Sequence, residues 1–292
     1  MRSLKILGAL AALALFSASA QAAPTRFTAA VSGTGPDVIF IPGLASSIDT
    51  FMPIAAKLSA THRVHLLQVA GFAGAPAAGN ASADVDAGVV APLVEEIDAY
   101  IRDNQLAAPA VIGHSLGGET ALMLAARHPA DVGRVMAVDS LPFFPLVMNP
   151  QATVELMKPQ AAAIRDRTIA TPDAAYAASQ PAMAARFVKT ESGRAGVIAA
   201  GTTSDRQVVA RSVYELMTTD LRAELAAIKA PVTVLYAWDP VYGLPAESMD
   251  AFYKSAYAGT PKLNLVRVDN SFHFIQIDQP TVFETAVTTF LR

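Results

Sequence analysis

Two hydrophobic periods alternate along this chain, and their alternation predicts its architecture. Val38 to Ile41, Val64 to Val69, Ala110 to Ile112 and Val135 to Val138 are short, largely apolar runs. Pro42-Gly43, Gly71, Gly113 and Asp139 close them. Between the second and third runs the period changes. Val89, Val90, Leu93, Val94, Ile97 and Ile101 fall on one face at helical spacing, which predicts an amphipathic helix over 85–102. Leu116 to Arg127 reads as a further helix, stopped near His128-Pro129. Strands apolar on both faces that alternate with helices imply an α/β chain, with a mostly parallel sheet covered on each side.

The pattern pauses after Asp139. Residues 141–228 show no clear strand and much helical character. Thr171-Pro172 reads as an N-cap followed by proline at the first helical position. Ser204 to Gln207 fits a capping box. Prolines 142, 145, 150, 159, 172 and 181 predict that this region is broken into short pieces. The alternation then resumes with a strand at 232–236, a helix at 245–257, a strand at 263–268 and a helix at 279–291. The expected organisation is a core over 23–140 and 229–292, interrupted by a helical insertion, a lid, at 141–228.

The first 22 residues read differently. Arg2 and Lys5 precede an apolar run from Ile6 to Phe16, and Ala20-Gln21-Ala22 gives an A-x-A cleavage pattern. This is the composition of a secretory signal peptide, so the mature chain is expected in the periplasm or outside the cell. The run is too short for a hydrocarbon core of about 30 Å. No later stretch reads as a membrane span. The chain has no cysteine, which excludes a thiol nucleophile, cysteine-ligated metal and disulfide staples. A net charge of −3 and the lack of a basic stripe argue against a nucleic-acid partner; the expected partner is a small-molecule substrate.

The candidate chemistry centres on Gly113-His114-Ser115-Leu116-Gly117, a G-x-S-x-G pattern lying between a buried strand and a helix. That context holds a serine on a strained, exposed turn and points helix N-terminal N–H groups at the reaction centre. A serine hydroxyl needs a base to take its proton. Of five histidines, His114 is held beside the serine and points elsewhere, and His128 precedes a proline at a helix end. His62 and His65 lie near a strand, where positions three apart face opposite sides. His273 lies in a loop between the last strand and the last helix.

These residues resemble the α/β-hydrolase superfamily, in its lidded serine-esterase-like members, over roughly residues 30–292. Ile39 to Leu44 is similar to the family's oxyanion-hole strand and loop, and Gly113 to Gly118 to its nucleophile elbow. Leu122 to Asp139 is similar to the helix and strand that follow, and His273 to Pro280 to its histidine loop. The resemblance implies Ser115 as nucleophile, His273 as general base, and the N–H groups of Leu44 and Leu116 as oxyanion donors. It places the orienting acid after strand 232–236, at Asp239, with Asp139 as the rival. Asp269 and Asp278 read as loop and helix-cap residues. Phe272 stands where the family often has glycine, and Ala237 where it usually has glycine.

No cofactor and no metal is implied at such a site. Phe143, Met148 and Trp238 are the expected substrate-lining side chains. The expected reaction is hydrolysis of a carboxylic ester, or a related acyl bond, through an acyl-Ser115 intermediate. The same three residues could serve C–C, lactone or amide hydrolysis, perhydrolysis or acyl transfer. A non-catalytic binding module on this scaffold would show a missing triad residue, and none is missing. Because the base must be neutral, kcat/KM is expected to fall on the acidic side.

Overall fold

A computed structural model describes residues 24–292; the expected signal peptide lies outside the described residues. The chain opens with β1 (Phe27–Ser32), β2 (Asp37–Ile41), α1 (Met52–Leu58), β3 (Arg63–Val69) and α2 (Val90–Asp103). It continues through β4 (Ala110–His114), α3 (Leu116–Arg127) and β5 (Arg134–Val138). The insertion contributes α4 (Val154–Ala170), α5 (Asp173–Phe187), α6 (Arg194–Thr203) and α7 (Arg206–Thr218). Then come β6 (Val232–Trp238), α8 (Ala246–Ala256), β7 (Leu263–Asp269), α9 (Ile275–Asp278) and α10 (Pro280–Leu291).

The strands form a seven-stranded sheet in the order β1-β3-β2-β4-β5-β6-β7. All neighbours are parallel except β1, which pairs antiparallel with β3. The pleat sends successive side chains to two separate cores. Ile39, Val111, Val135 and Ala137 join the larger core with the apolar faces of α2, α3 and α8. Phe40, Ile112, Met136 and Val138 join the smaller one with Phe51, Ile54, Ile275, Phe283 and Val287 from α1, α9, α10 and their approaches. Burying each such side chain stabilises the fold by about 1.5–3 kcal/mol, and burial on both faces explains why the central strands were readable as continuous apolar runs. β1 lacks that signature. It is an edge strand whose last three residues are exposed, and its Thr-Ala-Ala stretch carries no apolar alternation.

Several expected helix ends moved, and at α2 a distant group supplies what the local sequence does not. α2 begins at Val90 rather than near 85, and no side chain of its own caps it. The Glu215 carboxylate on α7 accepts from the N–H groups of Val89 at 2.6 Å, Val90 at 2.9 Å and Ala91 at 3.4 Å. Those are orphan donors of the first helical turn. Thr171 ends α4 instead of capping α5, and Pro172 is the residue that precedes α5. Asp205, not Ser204, caps α7, accepting from Val208 N–H at 3.0 Å. The Ser204 hydroxyl instead accepts from Ala73 N–H at 2.8 Å. Nor do the prolines cut the insertion into short pieces. Pro159 and Pro181 lie inside α4 and α5, helices of 17 and 15 residues. Each proline removes one main-chain hydrogen bond, and the packing of α4 on α7 and α5 on α6 outweighs that loss.

The insertion is tied into the core. Arg211 of α7 is almost fully buried. Its guanidinium donates to the carbonyls of Asn80 and of Ala87, the latter at 3.1 Å. It thereby orders the Ala/Gly-rich segment after β3. Among the described residues no helix is long and apolar enough to cross a membrane.

Candidate active site

The serine sits where β4 turns into α3. Ser115 has φ 55° and ψ −121°, a region that a non-glycine residue enters only under constraint. Glycines on both sides make the turn possible. A Cβ on Gly113 would stand 2.0 Å from the Gly117 carbonyl oxygen, and one on Gly117 would stand 2.2 Å from the Ile41 carbonyl oxygen. The backbone is fixed from behind. Ser115 N–H donates to the Val138 carbonyl at 2.9 Å. The Ser140 hydroxyl donates to the Ser115 carbonyl at 2.8 Å, and Tyr257 donates to the Ser140 carbonyl at 2.7 Å.

The loop after β2 lies against this elbow. A Cβ on Gly43 would come within 3.2 Å of the Ser115 Cβ, so the backbone leading to Leu44 passes beside the serine. Leu116 is the first residue of α3, and an N–H at that position has no intrahelical acceptor. Two expected main-chain donors therefore flank the elbow.

His273 follows β7 and precedes α9. Its Nδ1 lies 2.7 Å from Asp139 Oδ2. A carboxylate there accepts, so in the neutral ring Nδ1 carries the proton and Nε2 the lone pair. The other Asp139 oxygen accepts from Ala237 N–H at 2.9 Å and from the Tyr253 hydroxyl at 3.2 Å. Asp139 itself occupies a left-handed turn, φ 45°, at the end of β5. The His273 carbonyl accepts from His114 Nε2 at 2.9 Å. His114 is fully buried, and burial, with His273 adding repulsion, holds its imidazole well below the usual histidine range. It thus serves as a neutral prop next to the serine.

Asp239, the expected acid, does not reach His273. It follows β6 in extended backbone and caps the short turn Pro240–Tyr242 through Val241 N–H at 3.0 Å. Its other oxygen pairs with Lys189 Nζ at 2.5 Å. Burial works to raise its pKa, but the Lys189 ammonium and the Val241 N–H outweigh burial and hold it below the usual carboxylate value. The carboxylate at His273 is thus that of Asp139, the rival, and not that of Asp239. Asp278 was expected to be a helix-cap residue. It accepts from Phe272 N–H at 2.9 Å, Lys189 N–H at 3.1 Å and Thr190 N–H at 2.8 Å. It thereby joins the histidine loop to the end of α5.

The expected substrate-lining residues need revision. Phe143 is 0 % exposed and packed in the main core. The Arg222 guanidinium lies 5.0 Å from its ring centroid, so Phe143 cannot line an open pocket. Met148 is exposed. Trp238 is half-buried at the end of β6, donating from its indole N–H to the Leu244 carbonyl at 2.9 Å. The ring that does meet the imidazole from the insertion is Phe187, 41 % exposed, at 5.3 Å from the His273 ring centroid. Tyr242 stands 5.9 Å from Phe272 at the same rim. Nothing local in the sequence marks Lys189 as a partner for Asp239, which lies 50 residues further on.

A family model described as the alpha/beta hydrolase fold matches residues 36–196. The pimeloyl-[acyl-carrier protein] methyl ester esterase of Aeromonas hydrophila is 30% identical over 112 residues, 38% of this chain and 41% of that protein. The chain therefore matches about two fifths of that relative's length. Among solved structures, the enol-lactonase from Burkholderia xenovorans superposes with a TM-score of 0.70 at 20% identity, covering 91% of this chain and 96% of the other. A hydrolase from Pseudomonas aeruginosa gives 0.70 at 19% identity, covering 93% and 99%. At such identities these likenesses concern the fold. The sheet order, the strained serine elbow and a family match over more than half the residues lead to one assignment: the chain belongs to the α/β-hydrolase fold family.

Proposed function

We propose that this protein is an exported serine hydrolase that cleaves a carboxylic ester of a small, partly apolar substrate, with Ser115, His273 and Asp139 as its catalytic residues. The observation that carries the reading is the 2.7 Å contact between His273 Nδ1 and Asp139 Oδ2, with the His273 ring 4.6 Å from the ring of His114, the chain neighbour of a serine held at positive φ. Ser115 Oγ attacks the acyl carbon while its proton passes to His273 Nε2. Asp139 holds the ring and stabilises the imidazolium without taking the proton. The N–H groups of Leu44 and Leu116 receive the oxyanion, each such donor being worth about 3 kcal/mol of barrier. The tetrahedral intermediate collapses, the leaving alcohol takes the proton from Nε2, and the acyl group stays on Ser115. Water then attacks the acyl carbon, giving its proton to Nε2, and the acid is released as Ser115 regains its hydrogen.

An ester-cleaving relative among the matches supports the choice of bond. Phe187 at the imidazole supports an apolar substrate portion. The helical insertion serves as the lid over this site, and the leader over residues 1–22 supplies export.

The test is labelling by a fluorophosphonate probe followed by a panel of short-chain esters, lactones and amides. Labelling at Ser115, its loss in Ser115→Ala, and preference for esters are expected. An unlabelled serine with undiminished turnover in Ser115→Ala contradicts the reading.

A further inference from the structure

Away from the elbow, at the far end of α3, three metal-ligating side chains converge. Asp98 on α2, His128 at the end of α3 and Asp131 in the next loop each offer one ligand atom, and these atoms all lie within 4.8 Å of one another. The 12 residues of α3 place this cluster about 18 Å along the helix axis from Ser115. Asp98 is 0 % exposed, and neither of its carboxylate oxygens takes part in a hydrogen bond among the described residues. Its Oδ2 has only ion-pair contacts, with Arg102 Nη2 at 2.7 Å and His128 Nδ1 at 3.2 Å.

The second nitrogen of His128 is already placed as a metal-bound histidine requires. His128 Nε2 lies 3.1 Å from Glu95 Oε1. A carboxylate there fixes the tautomer that frees Nδ1 to coordinate, and metal-ligating histidines almost always show such a partner. The charges point the same way. Asp98 and Asp131 also face each other, and the three carboxylates of Asp98, Asp131 and Glu95 face the guanidiniums of Arg102 and of Arg127, the latter paired with Glu224, and the His128 ring. With the imidazole neutral, as a metal ligand must be, the four carboxylates of Asp98, Asp131, Glu95 and Glu224 and the two guanidiniums of Arg102 and Arg127 leave −2, which a divalent ion cancels. Arg102 is no obstacle, because its side chain is 62% exposed and can turn into solvent.

We infer that Asp98, His128 and Asp131 form a structural divalent-cation site suited to zinc, with His128 Nδ1 and one oxygen from each aspartate as ligands. One nitrogen and two carboxylate oxygens, with water in the fourth position, match zinc's tetrahedral preference. The ion clamps α2 to the loop after α3 and takes no part in the reaction at Ser115.

Calorimetric titration of the chelator-stripped full mature chain with zinc chloride alone tests this. One site with a dissociation constant of roughly micromolar size is expected, with a zinc-dependent rise in Tm. His128→Ala and Asp131→Asn should each weaken zinc binding by about 100-fold or more while keeping the wild-type circular-dichroism spectrum. Glu95→Gln should weaken it by about 10-fold. Zinc binding weaker than about 1 mM in the wild type overturns the inference. So does affinity left unchanged in the His128 and Asp131 variants.

Discussion

The carboxyl ends of β5 and β6 lie side by side, and each delivers an aspartate. Asp139 leaves β5 in a left-handed turn, so its carboxylate reaches His273 Nδ1 while Ala237 N–H and Tyr253 hold its other oxygen. Asp239 leaves β6 in extended backbone and is consumed by its own turn and by Lys189. One carboxylate positions a ring; the other fastens the end of α5 to the core. An aspartate at the end of a suitable strand is thus not an orienting acid by position alone. What the carboxylate is already bonded to decides its role.

The largest effect expected from breaking this contrast is at Asp139. Asp139→Asn leaves the geometry nearly intact but offers an amide to His273 Nδ1, so the useful tautomer is lost, and kcat should fall by about 10^4-fold. Steady-state kinetics of the purified variant on a short-chain aryl ester check this.

The same contrast between furnished and unfurnished carboxyls recurs in the pair Glu215 and Glu119. Glu215 is surrounded by three N–H donors at the start of α2. Glu215→Ala should destabilise the fold by about 2 kcal/mol, the scale of a lost cap with charge-assisted bonds, read by urea unfolding.

Asp239→Asn should change kcat/KM by less than about 10-fold, chiefly through KM, because it loosens the insertion rather than the imidazole. Lys189→Met should reproduce that change, and the double variant should show little further loss.

The last expected effect is a pH slope at Glu119, whose oxygens are buried without a hydrogen-bond partner among the described residues. Burial, with the Glu215 charge adding to it, pushes its carboxyl well above the usual range, so the fold favours its neutral form. The unfolded chain ionises this group once pH passes the ordinary carboxylate value. The folded form therefore binds more protons above that value, and stability falls as pH rises. Glu119→Gln removes this loss, so its stability relative to wild type should improve as pH rises above the ordinary carboxylate range in urea titrations.

The central strands were legible because Ile39, Ile112 and Val135 are buried on both sheet faces and leave no polar alternation. Ser115 was legible because its glycines at 113 and 117 are forced by backbone approach. What sequence could not show was direction. Asp139 and Asp239 look alike as strand-ending aspartates, and the resemblance favoured the second. Only the turn at φ 45° sends the first toward His273. Phe143 failed as a pocket residue for a similar reason, since an apolar residue near a site can face the core as readily as the ligand. The displaced cap at Ser204 and the later start of α2 share another cause. Local rules assume local partners, whereas Ser204 serves Ala73 and Glu215 serves Val89 from far along the chain.

The most direct test of the pairing between His273 and Asp139 is proton NMR of the Nδ1–H of His273, assigned through the loss of its low-field resonance in His273→Ala. That resonance should persist in Asp239→Asn and vanish or move sharply upfield in Asp139→Asn. Its survival in Asp139→Asn together with its loss in Asp239→Asn would contradict the account.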